Sequence, residues 1–183
     1  MTEVHLREFH SLFELRGRAI AVARGDHLFR QGDTDGSVYF VRSGLLKAYY
    51  LRPDGREHIK SFLPEGSVIG SLVAATREGA CPFSLVAAED GTLLSLRYEM
   101  LRGAARGDMT LAAALIDFLM AYGMRKERRE HELLTLSPEQ RYALFRETMP
   151  HLVDRVSLAD QAAYIGVTPQ ALSRIRRREK AAA

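Results

Sequence analysis

Hydrophobic and polar positions follow different patterns in the two halves of the chain, and each pattern predicts different elements. Residues 1 to about 18 carry apolar side chains at helical spacing, which predicts a short packing helix. From residue 18 to residue 97, short runs rich in Val, Tyr, Phe and Leu are separated by glycine-containing turn signals. Turns at this density predict a small β-roll or jelly roll, with Asp54-Gly55 as the turn of one hairpin and a short helix over residues 69–75.

The second half of the chain has helical periodicity. Apolar residues spaced by four, three and four positions predict a long helix from about Thr110 to Leu134. They form a narrow seam that consists of Leu111, Leu115, Phe118 and Tyr122. Such a seam suits pairing with a second copy of the chain, so we expect a homodimer with these residues at its interface. The alternative is a helix that covers the β-roll with the same face.

The segment that begins at Ser157 predicts two short helices around a sharp turn. Ser157 suits the N-cap of the first helix, and Gly166 ends it because glycine tolerates a positive φ. Thr168 and Pro169 suit the start of the second helix. This order of cap, glycine, cap and proline predicts a helix-turn-helix. An ordinary helical hairpin with a solvated basic face is the alternative.

Polar residues of the second helix share one outward face. Glutamine can pair with adenine and arginine with guanine through two hydrogen bonds each, and a basic run binds phosphates. The residues expected to contact double-stranded DNA are Thr168, Gln170, Ser173, Arg174, Arg176, Arg177 and Arg178.

Charge is distributed in agreement with this expectation. The net charge of the 183 residues is only +3, which says little about partners. Residues 124–183 hold 12 Lys+Arg and 8 Asp+Glu, however, whereas residues 1–123 hold 14 and 15. The basic surplus therefore lies in the part expected to meet DNA.

Other chemistry receives little support from the sequence. A single cysteine, Cys81, excludes an intrachain disulfide and a four-cysteine cluster bound by one chain. The six histidines include no His-x-His pair of the kind that a cupin metal site needs, so we expect neither a metal nor an enzyme. No apolar run approaches the roughly 20 residues of a membrane span, and the N-terminus lacks the pattern of an export signal. We expect a cytoplasmic protein without a membrane partner.

Two motifs resemble those of the Crp/Fnr family of bacterial transcription regulators. The first is GDHLFRQGD at 25–33 followed by VYFVRSG at 38–44, which resembles the family's effector-domain signature. The second is IGVTPQALSRI at 165–175, in the helix-turn-helix. The resemblance implies an α+β protein with an N-terminal β-roll of the cyclic-nucleotide-binding type, a long dimerisation helix and a C-terminal DNA reader. It implies a homodimer that binds a pseudo-palindromic site, with RNA polymerase as a further partner and a small-molecule effector.

The effector pocket departs from the pattern of members that bind cyclic AMP. Those members carry Gly-Glu-Leu, whose glutamate binds the ribose, and Arg-Ser, whose arginine binds the cyclic phosphate. Both charged residues are missing here, so we expect that a cyclic nucleotide is not the cofactor, and the effector stays open. The positions that correspond to the pocket are Gly70, Ser71 and Leu72, with Pro82, Phe83 and Ser84 or, with a different gap, Cys81 and Pro82.

The resemblance also predicts how the chain is divided. Residues 1–108 form the β-roll effector domain, 109–136 the dimerisation helix and linker, and 137–183 the helix-turn-helix domain. Members often carry a β-hairpin wing after the recognition helix, but only Glu179, Lys180 and three alanines follow Arg178. We therefore expect a wing that is absent or reduced. The alternative function is a ligand-sensing or scaffolding β-roll protein that does not bind DNA specifically.

Overall fold

Two antiparallel four-stranded sheets form the N-terminal half of the chain. The structure is a computed structural model that describes the backbone of residues 3–182 and the side chains of residues 10–179. The eight strands are β1 (Arg18–Val22), β2 (His27–Phe29), β3 (Ser37–Ser43), β4 (Leu46–Leu51), β5 (Glu57–Leu63), β6 (Val68–Gly70), β7 (Ser84–Ala87) and β8 (Gly91–Arg97). One sheet has the order β1-β8-β3-β6 and the other β2-β7-β4-β5. A core of alternating inward side chains, Tyr39, Val41, Ala48 and Leu85 among them, lies between the sheets.

Helices enclose this sandwich and make up the C-terminal half. They are α1 (Glu3–Arg16), α2 (Leu72–Ala75), α3 (Tyr98–Gly107), α4 (Met109–Thr135), α5 (Pro138–Thr148), α6 (Leu158–Ile165) and α7 (Pro169–Ala182), with a 3-10 turn at Pro150–Leu152. The α+β class, the β-roll, the long helix and the C-terminal helices agree with the predictions. Helix α7 reaches the end of the described residues. No helix within residues 3–182 is both long and apolar enough to cross a membrane.

The hairpin of β4 and β5 confirms the predicted turn. Leu51 pairs with Glu57, and Gly55 adopts a φ of 78° that an L side chain would resist. The short helix predicted over residues 69–75 is wrong in its first half. Val68–Gly70 instead pairs with β3 as an edge strand, and only the four residues of α2 are helical. The hydroxyl of Ser71 accepts a hydrogen bond from the backbone N–H of Ala74, so the first turn of α2 is capped by its own sequence.

Helix α4 packs against the β-roll and α1, which corrects the predicted dimer seam. Leu111 and Leu115 are buried in the same core as Phe13 of α1, and Phe118 is packed against it. Tyr122 packs against the core between the sheets. The face predicted to pair with a second copy is therefore the face that covers the β-roll. The opposite face of α4 instead exposes large apolar side chains, namely Met109, Ile116, Met120 and Met124.

The C-terminal helices pack on the outer face of the sheet that contains β4 and β5. Tyr49, Ile59 and Phe62 point away from the inter-sheet core and share a second core with α5, α6 and α7. The Phe62 and Phe145 rings each lie 5.5 Å, centroid to centroid, from the ring of Tyr164. Such aromatic contacts stabilise the docking of the C-terminal helices by burying apolar surface. The β-roll and the helix-turn-helix thus form one packed body.

Candidate nucleic-acid interface and ligand cleft

Local sequence builds the turn between α6 and α7 in the predicted way. The Ser157 hydroxyl accepts a hydrogen bond of 3.0 Å from the N–H of Asp160 at the start of α6. Gly166 ends that helix with a φ of 83°, and its N–H donates to the carbonyl of Ala162. The Thr168 hydroxyl accepts from the N–H of Ala171 at 3.2 Å, and Pro169 is the first residue of α7. These caps confirm the predicted helix-turn-helix.

Burial of one face of α7 leaves the other face outside. Leu172 and Ile175 are buried against α6, where Ala162 permits a close approach of the helices. Gln170 and Arg174 lie on the opposite side and are exposed to solvent. Because they are four positions apart, their side chains are neighbours on one face. This face can donate and accept hydrogen bonds in the way that base edges require.

The other residues predicted to contact DNA have more varied surroundings. Arg177 is exposed, and Ser173 and Arg176 are half-buried. Arg178 lies 4.0 Å from Glu139 of α5, and the Thr168 hydroxyl is used in the helix cap. All seven residues lie on α7 or at its start. Their contacts with DNA stay predictions.

Two arginines bind the carbonyl end of α6. The guanidinium of Arg129, from α4, donates to the carbonyl of Tyr164 and lies 3.9 Å above the ring of Tyr164. Arg141, from α5, donates from Nε to the carbonyl of Ile165 at 2.7 Å. Cations at this position satisfy carbonyls that have no partner within the helix. Helix α4 is thereby joined directly to the helix-turn-helix.

Ion pairs join the segment around α6 to the β-roll. Lys47 of β4 lies 2.9 Å from Glu57 and 3.0 Å from Asp160. Arg155 lies 2.9 Å from Glu65 and 2.7 Å from Glu89. Hydrogen bonds from Arg155 lower the pKa of Glu65 to about 2 and, with those to Glu89, raise the pKa of Arg155 itself.

The predicted effector residues are not gathered into one open pocket. Gly70, Ser71 and Leu72 line a cavity of about 10 Å³, which is about the space of one water molecule. Phe83 is buried in the inter-sheet core and Pro82 is exposed. Ser84 is buried, and its hydroxyl accepts from the N–H of Gln31. The prediction that no cyclic nucleotide binds stays a prediction.

Three cations surround one aromatic ring between β5 and α4. Lys60 Nζ lies 5.2 Å from the centre of the Tyr122 ring, and Lys126 Nζ lies 5.4 Å from it. The guanidinium carbon of Arg125 lies 6.0 Å from the same point. Burial and the neighbouring charges of Lys126 and Arg125 lower the pKa of Lys60 to about 8. We call Lys60, Arg125 and Lys126 the cation cluster.

The cation cluster lies in a large cleft. Its volume is about 1070 Å³, and its walls come from β5, the second half of α4 and the C-terminal helices. Aromatic and further basic side chains line it, including Tyr50, His58, Phe62, Arg128, Arg129 and Tyr164. Such a cleft has room for a ligand of the size of a nucleotide or larger.

Metal and thiol chemistry receive no geometric support. No three His, Cys, Asp or Glu side chains among the described residues are grouped as a metal ion would need. Cys81 is buried, and its sulfur lies 3.9 Å from the carbonyl oxygen of Asp35. Its surroundings are those of a packing residue.

Comparison with known proteins shows which proteins this chain is similar to. Residues 19–108 match the model of the cyclic nucleotide-binding domain. The chain is 34% identical to the transcriptional activator protein Anr of Pseudomonas protegens, in a match that covers 54% of this chain and 39% of Anr. It is 26% identical to the nitrogen fixation regulation protein FixK of Bradyrhizobium diazoefficiens, over 92% of this chain and 73% of FixK. The chain is a homologue of the Crp/Fnr regulators.

The fold of this Crp/Fnr homologue agrees with its relatives. It superimposes on FixK2 from Bradyrhizobium japonicum with a TM-score of 0.77 and 20% identity, over 88% of this chain and 83% of FixK2. An identity this low shows the fold alone. The match with Anr spans well under two thirds of Anr's length. These relatives are transcription regulators and not enzymes, in agreement with the predicted class.

Sequence reasoning missed the cation cluster and the arginines that bind the carbonyl end of α6. Lys60 lies within a strand, and the alternation of the sequence does not determine which face of the sheet its side chain is on. A β-bulge between the pairs Ala48–Ser61 and Tyr49–Ile59 determines that face. Arg125, Lys126 and Arg129 belong to a charged run that normally indicates a solvated helix face. The only available signal was that this run continues the face of α4 that begins with Leu111 and Leu115.

Proposed function

We propose that the chain is a DNA-binding transcription regulator that works as a homodimer and reads a pseudo-palindromic site. The observation that carries the proposal is the outward face of α7, where Gln170 and Arg174 are exposed side by side. Its inward face is fully used in packing. A scaffold that had no use for DNA would not need this combination of a capped helix-turn-helix and a free polar face. The basic surplus of the C-terminal part supports the same function.

The exposed stripe of α4 supports the homodimer. Ile116, Met120 and Met124 recur every four residues, and Met109 precedes Ile116 by two turns. Exposed apolar side chains in such a row favour burial against a second copy, because burial removes their surface from water. A parallel pair of α4 helices would present two α7 helices related by a twofold axis. Two half-sites read in adjacent major grooves are the expected DNA target.

Selection of bound fragments from a random duplex DNA pool tests this function. We expect enrichment of an inverted repeat whose half-site centres are about 34 Å apart. The matched control is the Gln170→Ala/Arg174→Ala variant, which keeps the buried face of α7 and should enrich no sequence. A wild-type protein that enriches no sequence would contradict the proposal and favour a ligand-sensing or scaffolding role.

A further inference from the structure

Lys60 is a half-buried amine that forms no ion pair with any carboxylate that the structure describes. Its Nζ lies 4.7 Å from the centre of the Phe83 ring and 5.2 Å from the centre of the Tyr122 ring. These aromatic faces replace part of the hydration of the ammonium group, and they attract a cation without neutralising its charge. The ammonium form of Lys60 is therefore poorly compensated.

Arg125 and Lys126 of α4 add to the cost of a positive charge on Lys60. Both lie within 6.0 Å of the centre of the Tyr122 ring, which Lys60 also contacts. Burial, and next the positive charges of Lys126 and Arg125, lower the pKa of Lys60 to about 8. A larger share of this side chain is therefore neutral near pH 7 than is usual for a lysine. The neutral amine carries the lone pair that makes a lysine nucleophilic.

The acidic side chains that line the cleft do not relieve the repulsion within the cation cluster. Glu65 is paired with Arg155 at 2.9 Å, and Glu132 is paired with Arg129 at 3.0 Å. Glu130 is exposed and forms no ion pair with a described member of the cluster. The negative charge that the cluster lacks must therefore come from a chemical change in one of its members or from outside the chain.

A change of charge at Lys60 itself would remove the repulsion. When a neutral amine adds to carbon dioxide, the nitrogen lone pair forms a bond to carbon, one C–O π bond opens and the nitrogen loses one proton. The side chain changes from a cation to a carbamate anion, and the step needs no oxidant, reductant or leaving group. Arg125 and Lys126 would then neighbour a negative charge, so that repulsion becomes attraction.

We infer that the Lys60 amine binds carbon dioxide covalently, as a carbamate that Arg125 and Lys126 stabilise. The cleft has a volume of about 1070 Å³ and is lined by Lys60, so carbon dioxide has room to reach the amine. Carbon dioxide carries no charge, so it loses little hydration when it meets aromatic surface. The inference goes beyond the proposed function, because it concerns one side chain and requires neither DNA nor a second copy.

Lys47 has the opposite surroundings and is an internal control. Its Nζ lies 2.9 Å from Glu57 and 3.0 Å from Asp160. Burial alone would lower the pKa of Lys47, but hydrogen bonds to Glu57 and Asp160 raise it above its usual value. A carbamate at Lys47 would break both ion pairs and place an anion beside two carboxylates. We therefore expect no carbamate there.

Trapping with triethyloxonium ion, which converts a carbamate to a stable ethyl ester, tests the inference when it is followed by peptide mass spectrometry. The full chain, equilibrated near neutral pH with isotopically labelled carbon dioxide and bicarbonate, should carry the labelled adduct on Lys60 and not on Lys47. Lys60→Arg keeps the positive charge and should carry no adduct at that position, because a guanidinium stays protonated.

Two further variants test the stabilising role of the neighbouring cations. Lys126→Gln should lower the occupancy of the Lys60 adduct about threefold, because it removes a charge that favours both the neutral amine and the carbamate. Arg106→Gln removes an exposed charge on α3 outside the cleft and should change the occupancy by less than about twofold. Circular dichroism confirms that each variant is folded before it is trapped.

Three results would overturn the inference. The first is a wild-type chain that carries no labelled adduct on Lys60. The second is an equal adduct on Lys47, which would show only the general reactivity of amines. The third is an unchanged occupancy in folded Lys126→Gln. The trapping reaction contains no DNA, so a failure of DNA recognition leaves its outcome unaffected, and a chain that enriches a DNA sequence without forming the adduct would retain the proposed function and lose this site.

Discussion

Arginine side chains have three different roles in this chain, and their surroundings decide which. Arg129 is half-buried and binds the carbonyl end of α6, and Arg155 connects two carboxylates of the β-roll. Arg174 is exposed on α7. The first two already have partners within the molecule, so their loss would act on packing. Arg174 is free to contact an external partner, and its loss would act on binding.

Arg174→Ala should lower the affinity for the selected DNA site by about 1–3 kcal/mol, because a bidentate pair with a base would be lost. Affinity for random DNA should change much less. Fluorescence anisotropy with labelled duplexes measures both, and Arg102→Ala, an exposed arginine on α3, is the control. Equal losses on the two duplexes would show that Arg174 contacts phosphate only.

Lys60→Met should raise the free energy of unfolding near neutral pH by about 1–3 kcal/mol, because a repelled and partly buried charge is removed. The pKa of Lys60 is about 8 in the folded chain against 10.5 for the free side chain. Between these values the unfolded state binds more protons, so the stability of the wild type should rise with pH and that gain should be absent in the variant. Urea unfolding over this range measures the effect. Arg106→Met, an exposed control on α3 outside the cation cluster, should change the stability by less than about 0.5 kcal/mol, and a loss of stability in Lys60→Met would contradict the account.

In helices α4 and α6, some residues pack in the core, and their immediate neighbours are exposed or change the direction of the chain. In α4, Leu115 is 9% exposed and faces the β-roll, whereas Ile116 is 61% exposed. In α6, the residues before Gly166 pack, and the glycine itself permits the change of direction into α7. In both helices, adjacent residues therefore have different roles, and the number of apolar residues alone would not show which residue has which role.

Leu115→Ala and Ile116→Glu should affect different properties, the first the stability of the fold and the second the homodimer. Leu115→Ala removes buried methyl groups and should lower the free energy of unfolding by about 2–4 kcal/mol without changing the oligomeric state of the folded protein. Ile116→Glu should leave the fold intact and abolish the homodimer, because a charge would be buried without a partner at the interface. Sedimentation equilibrium and urea unfolding separate the two effects. A dimer that survives Ile116→Glu would show that the exposed stripe of α4 is not the interface.

Gly166→Ala should destabilise the chain by about 1 kcal/mol, because an alanine resists the φ of 83°. Space is not the cause, since an added Cβ would meet only ordinary contacts, such as one of 3.7 Å with His58. Gly103→Ala on the exposed surface of α3 is the matched control and should stabilise by about 0.5–1 kcal/mol. Equal shifts in the two urea midpoints would argue against a conformational role for Gly166.

At the scale of the whole molecule, the C-terminal helices and the β-roll share a hydrophobic core. Phe62 and Ile59 contribute to it from the β-roll, and Phe145 and Ile165 from the C-terminal helices. Lys47 and Arg155 add ion pairs on both sides of this contact. Any change in the placement of α7 relative to the β-roll must therefore break a defined set of contacts. A ligand would therefore change DNA binding by favouring either the placement of α7 that keeps these contacts or one that breaks them.

Acid should weaken this contact through Glu65. Its pKa is about 2 in the folded chain against 4.5 for the free side chain, so its contribution to stability is complete above 4.5 and is lost as the pH falls towards 2. Because the side chain is 45% exposed, solvent screening limits the contribution to about 0.5–1 kcal/mol. Urea unfolding at several acidic pH values should show a steeper loss in the wild type than in Glu65→Gln. Parallel curves would mean that the Arg155 bridge does not stabilise the docking.

Local signals in the sequence were sufficient for most elements. Ser157, Gly166, Thr168 and Pro169 act on their own neighbours, so their order alone located the helix-turn-helix and the exposed face of α7. The turn at Asp54-Gly55 and the span of α4 were predictable for the same reason. Caps, turns and helical periodicity depend on contacts between residues a few positions apart, so the local sequence is sufficient to predict them.

Partners distant in sequence were decided by the tertiary structure. Periodicity placed Leu111, Leu115, Phe118 and Tyr122 on one face of α4 but could not say that the β-roll, and not a second copy, covers it. Periodicity also could not predict that Lys60 of β5 lies near Arg125 and Lys126. Their proximity depends on a β-bulge in β5 and on the packing of α4 against the β-roll. Contacts of this kind depend on how elements pack in three dimensions, and no local pattern specifies which apolar faces will meet.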